Sequence, residues 1–130
     1  MRRQLVIVSA MVTAVKRGCG TRQPVTTIRP MLVHIVFWRL ADSSNGSPRD
    51  ANAIELKRRF DALRGVIPGM TRCEVGIDIS SSPESSHVAL YSEFESRGAL
   101  DAYQAHPAHQ EIVAFLKTVR TERRVVDYER

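Results

Sequence analysis

A chain of 130 residues, at roughly 100–200 residues per domain, accommodates one compact domain with a short tail and excludes a two-domain organisation. With 25% charged residues, 43% in the aliphatic, aromatic and Cys set, and only two cysteines in no metal-ligand spacing, it is not a disordered chain, a membrane protein or a disulfide-stapled secreted scaffold. The net charge of +5 sits at one end: six of the 19 basic residues and none of the 14 acids lie in residues 1–30, so residues 31–130 carry −1. Neither a nucleic-acid nor a membrane partner is expected of such a domain, and a reducing, cytoplasmic setting fits it.

Residues 1–30 are expected to be an N-terminal extension outside the folded domain of residues 31–130. Arg2 and Arg3 precede an apolar stretch from Leu5 to Val15, like the n-region and h-region of a signal peptide, but Lys16 and Arg17 stand where a cleavage site needs small residues. The same two residues spoil a lipid-attachment reading of Cys19, and the stretch falls short of the ~20 residues that span a bilayer. The readings left are an upstream start codon, a disordered extension and a targeting segment.

From Met31 the chain alternates strand and helix signals. Leu32–Leu40 predicts a strand with Leu32, His34, Val36, Trp38 and Leu40 on one face and Val33, Ile35, Phe37 and Arg39 on the other, both mostly apolar and so both covered. ADSSNGSPRD reads as a loop ending in a helix start, with Ser47 as the capping oxygen, Pro48 at the first helical position and Asp50 in the first turn. Ala53, Leu56, Phe60 and Leu63 form the buried stripe of that helix, and its charged residues a solvated face. After Pro68 and Gly69 a second strand places Cys73, Val75 and Ile77 opposite Arg72, Glu74 and Gly76, which makes Cys73 a small buried apolar side chain. SSSPESS is a turn, and HVALYSEFE a third strand pairing antiparallel with the second. Ser96 caps a short helix that Pro107 interrupts; a further helix restarts there with Ile112, Phe115, Leu116 and Val119 inward, and RRVVDYE is a final strand. The order βαββαβ is the α+β ferredoxin-like arrangement. Helices on one side leave the other sheet face bare, so a second copy is expected to cover it, as a homodimer closing into a barrel.

Chemistry, if any, concentrates in Tyr103-Gln-Ala-His106-Pro-Ala-His109. Three residues before Ile112 on the apolar stripe is His109, which places its imidazole toward the sheet. A buried histidine is either a core group satisfied by a carbonyl or hydroxyl or a functional one. His106 falls at the N-cap of the restarted helix, and Tyr103, inward with Leu100, is expected to hydrogen-bond its hydroxyl to a histidine. His106 and His109, three apart across a helix start with no carboxylate spaced to join them, do not suggest a metal site, and no cofactor motif occurs.

AYQAHPAHQEIVAFLKTV, preceded by SEFES and followed by VVDYE, together with MLVHIVFWRL and the LRGVIPGM turn, resembles the stress-responsive A/B barrel (Dabb) family from Met31 to about Glu129. The resemblance implies a dimeric ferredoxin-like α+β barrel and leaves residues 1–30 outside it. Most bacterial members have no assigned reaction; a plant branch contains a polyketide cyclase, olivetolic acid cyclase, which closes a linear poly-β-ketone by aldol condensation. Carried over residue by residue, Tyr103 matches the cyclase's active-site tyrosine, His109 its catalytic histidine and His34 a further pocket histidine on the first strand, while His87 is offset by one from another. Tyr103, His106, Pro107 and His109 belong to the general family pattern and do not single out cyclases. The function implied is a stress-linked homodimer holding an unidentified small apolar or aromatic molecule near His109. The alternative is a cyclase-like enzyme with His109 as general base and Tyr103 orienting the base or the substrate.

Overall fold

In the computed structural model, Pro24 and residues 29–130 are described; the remaining N-terminal residues, Cys19 and the signal-like stretch included, lie outside the described residues. The elements are β1 (Leu32–Leu40), β2 (Ser43–Ser44), β3 (Ser47–Pro48), α1 (Arg49–Asp61), β4 (Met70–Ile77), β5 (Val88–Phe94), α2 (Arg97–Ala105), α3 (Pro107–Val119) and β6 (Arg120–Glu129). The four long strands form one antiparallel sheet in the order β4-β5-β1-β6, with the expected βαββαβ succession. Among the described residues no helix is long and apolar enough to cross a membrane.

The stretch before α1 differs from the expectation. Ser47 does not cap the helix: the N-cap residue is Pro48, with no side-chain cap, and Ser47 lies in a two-residue ladder opposite Ser44. Asn45 (φ 54°) and Gly46 (φ 74°) both adopt the left-handed conformation that a tight hairpin turn requires, so Asn-Gly closes β2 on β3 before the helix begins. Buried Asn52 ties the hairpin to α1 by donating from Nδ2 to the carbonyls of Ser44 (3.2 Å) and Ser47 (3.3 Å). The Ser47-Pro48 cap signal is real in isolation, but the stronger turn residues beside it occupy that backbone first.

The core follows the two periods in the sequence. Ala53, Leu56 and Phe60 are buried from α1, Leu63 from the turn after it, and Leu32, Val36, Trp38 and Leu40 from β1, with Trp38 stacked on Phe60 at 5.6 Å between ring centres. Cys73 is a buried free thiol, pushed up to about 11 by desolvation, as an apolar core residue should be. Ile77, expected inside with Cys73 and Val75, is 38% exposed where the helical cover ends. On α1 the guanidinium of Arg59 pairs with Glu55 and lies 4.3 Å from the ring centre of Phe115 on α3, so the charged face serves helix packing and solvent. Gly69 (φ 79°) has no substitute: a Cβ there would stand 2.7 Å from Cβ of Ala99, at the start of α2.

Strand register sorts β1 and β6 into two faces. His34 opposes Asp127, Val36 opposes Val125 and Trp38 opposes Arg123 on the side under the helices. Ile35 opposes Val126, Phe37 opposes Arg124 and Val33 opposes Tyr128 on the other.

Candidate functional site

The site is built by the break between α2 and α3. Pro107 has no N–H, so the Tyr103 carbonyl accepts from His106 N–H instead (3.0 Å). Ala108 N–H, which in an unbroken helix would bond Gln104 O, donates to Nδ1 of His106 (3.1 Å); His106 is thus the N-cap of α3, as expected. Gln104 O is thereby left for side chains and accepts from Nε2 of Gln110 and from Nδ1 of His109 (3.2 Å). A carbonyl only accepts, so Nδ1 of His109 carries the proton and Nε2 of the neutral ring remains an acceptor. Burial holds His109 below the ordinary histidine range against the opposing effect of the Gln104 bond, with His34, Arg123 and His106 adding to the depression. At neutral pH it is an uncharged base.

A second imidazole is fixed in the same way. Buried His34 donates from Nδ1 to Oδ1 of Asp127 directly across the β1–β6 pair, because a carboxylate offers only acceptors. Between the two histidines lies Tyr103, its ring centre 4.2 Å from that of His109 and 6.4 Å from that of His34. Desolvation raises the phenol far above its ordinary range, so it is a neutral hydroxyl. The expected hydrogen bond from Tyr103 to a histidine is absent: its ring packs edge-on to that of His34 and tilted by 46° against that of His109, contacts of ring surfaces and not of polar atoms.

His34, Tyr103 and His109 share a cavity of about 70 Å³. Val36, Trp38 and Leu90 from the sheet and Phe60, Val113 and Leu116 from the helices supply its apolar wall, and Arg120 and Arg123 from β6 stand on the solvent side. That volume exceeds the ~30 Å³ share of one water and is well short of the ~300 Å³ of a drug-sized site. It has room for a small group, or one end of a longer molecule, and not for an enclosed linear poly-β-ketone.

The three site residues expected from the sequence therefore come together, and His87 does not join them. Nδ1 of His87 accepts from Leu40 N–H (2.8 Å), and its ring lines a separate hollow with Arg39, Arg49 and Asp78. Four contributors were missed: Asp127, Trp38, Arg120 and Arg123. The two-residue period of β6, once registered against His34, would have found Asp127 and Arg123; nothing in the sequence alone supplies that register.

Residues 32–130 match the stress responsive A/B barrel domain family. An uncharacterized protein of Streptomyces coelicolor is 33% identical over 100 residues, covering 76% of this chain and 99% of its own. Among solved structures, a dimeric protein of unknown function and ferredoxin-like fold from Bacteroides fragilis is 30% identical, covers 77% of this chain and 96% of its own, and superposes with a TM-score of 0.67. The hydroxynitrile lyase of Passiflora edulis shares the fold at 18% identity, with a TM-score of 0.65 over 78% of this chain and 94% of its own. By its sequence match and its βαββαβ sheet, the chain belongs to the stress responsive A/B barrel domain family.

Proposed function

We propose that the protein is a homodimer that holds a small molecule, or the small end of a larger one, in the cavity at His109. The supporting observation is the convergence of two imidazoles of fixed tautomer and a neutral phenol on one partly enclosed, largely apolar space. Phe37, Val126 and Tyr128, 40%, 48% and 44% exposed on the far face of the sheet, supply the surface for a second copy, and the dimeric Bacteroides fragilis relative supports that assembly. The test is a thermal-shift screen of small aromatic and carbonyl compounds on wild type and His109→Gln. A concentration-dependent rise in Tm that the variant loses is the expected result. A wild-type Tm unmoved across the panel would overturn the binding role.

A second reading, favoured by the free Nε2 lone pair of His109, is catalysis by proton abstraction. Nε2 takes a proton from carbon beside a carbonyl, the C–H electron pair passes to the carbonyl oxygen as an enolate, and Tyr103 orients that oxygen. The enolate carbon then adds to a second carbonyl, and the imidazolium returns its proton to the new alkoxide. Loss of α-proton exchange with deuterated solvent in His109→Gln, for a compound the wild type exchanges, is the expected result; wild-type exchange no faster than buffer removes this reading.

A further inference from the structure

We propose that the group received by this cavity is anionic, a carboxylate or an equivalent oxyanion, held between the indole N–H of Trp38 and the guanidinium of Arg123. The proposal rests on the binding role above and specifies its ligand class. Trp38 is 2% exposed, and its Nε1–H has no acceptor among the described residues. Buried donors are almost always paired, and Trp38 lines the cavity, so its orphaned N–H calls for an acceptor that comes from outside. Among the described residues the two other buried side-chain atoms without a hydrogen bond are Nε of Arg49 and Oδ1 of Asp61, the latter 3.2 Å from the Arg64 guanidinium, and neither residue lines this cavity.

The charge on the wall points the same way. It carries Arg120 and Arg123 and no carboxylate. Among the described residues neither arginine is in an ion pair, whereas Arg124, next in sequence but on the opposite face, pairs with Glu122. Asp127, two places beyond Val125 on the same side of β6, is engaged by His34. Trp38 and Arg123 are directly opposed across β1 and β6, so their side chains leave the sheet side by side. A planar anion there meets one N–H from the indole and a guanidinium fork, while uncharged His109 offers an acceptor to a carbon acid or hydroxyl on the same molecule.

Trp38 is the chain's one tryptophan, so a single indole ¹⁵N–¹H resonance reports on the site. The full chain is titrated at constant ionic strength with propionate and pyruvate, and with propionamide as the uncharged match in size. Expected are a saturable shift of the indole resonance with the carboxylates, at least tenfold weaker response to the amide, at least tenfold weaker carboxylate binding in Arg123→Gln, and partial recovery in Arg123→Lys. Equal or stronger binding of propionamide, or carboxylate binding unchanged in Arg123→Gln, would overturn the anion proposal and leave the binding role standing. An indole resonance unmoved by all three probes would overturn the anion proposal as well; whether the binding role falls with it is decided by the separate thermal-shift screen.

Discussion

Strands β1 and β6 present two different surfaces one residue apart. Under the helices, His34, Val36 and Trp38 face Asp127, Val125 and Arg123, and that side holds, among the described residues, an orphaned N–H, two fixed imidazoles and two guanidinium groups outside any ion pair around a small cavity. On the far side, Ile35 and Phe37 stand with Val126 and Tyr128 as a flat, half-exposed apolar surface, bordered by Glu93, which accepts from Tyr91 (2.7 Å) and Arg130 (2.8 Å). On these two strands the first side has, among the described residues, polar groups without partners and only Val125 as a half-exposed large apolar side chain, whereas the second has Phe37, Val126 and Tyr128. In the proposed function, ligand recognition falls to one face and assembly to the other, with strand alternation keeping the two chemistries apart.

Perturbing each face should therefore give a separable result, and the largest effect is expected outside. Val126→Asp puts a charge into the proposed subunit contact and should halve the solution mass from twice 14.6 kDa to 14.6 kDa by light scattering, with the indole resonance of Trp38 little changed. A wild type that is already monomeric at micromolar concentration would remove the dimer. On the inner face, Leu116→Ala deletes a buried wall residue and should cost about 2–5 kcal/mol in urea unfolding while enlarging the cavity. His106→Ala removes the cap that turns Ala108 away from Gln104; a loss of about 1 kcal/mol is expected, accompanied by weaker ligand response because the His109 tautomer loses its anchor.

His109→Gln sharpens the contrast further, since it should abolish the ligand response while changing stability by about 0.5 kcal/mol or less, as a half-buried polar group replaced by a similar one. A loss mainly of stability would make His109 a packing residue. The smallest effect concerns pH. His109 is held below the ordinary histidine range by burial, and His87 likewise by burial, then by Arg49 and Arg39. The folded chain thus binds fewer protons than the unfolded one between the two values: stability is full above the unfolded pKa of about 6.5 and declines as pH falls toward the folded values. A modest drop in Tm between about pH 7 and about pH 5 is expected, reduced in the double variant His87→Gln, His109→Gln; a double variant that drops as far as wild type would place the titration elsewhere.

The ferredoxin-like order, the helix break at Pro107, the cap at His106, the inward turn of His109 and Tyr103, and the buried Cys73 all follow from local rules. Apolar period, proline's missing N–H and cap chemistry act within a few residues and need no knowledge of the rest of the chain. The Asn45-Gly46 hairpin signal is equally local and competes with the neighbouring Ser47-Pro48 cap signal for the same backbone. What the tertiary structure alone decided is which distant residues meet. Asp127 reaches His34 across 93 residues of sequence and Arg123 stands beside Trp38 only because β6 pairs with β1 in one register, and a slip of a single residue would turn both to the outer face. His87 shows the converse: a histidine beside a family position is drawn to the Leu40 N–H and away from the cavity, because backbone donors at a strand end must be satisfied wherever the fold leaves them.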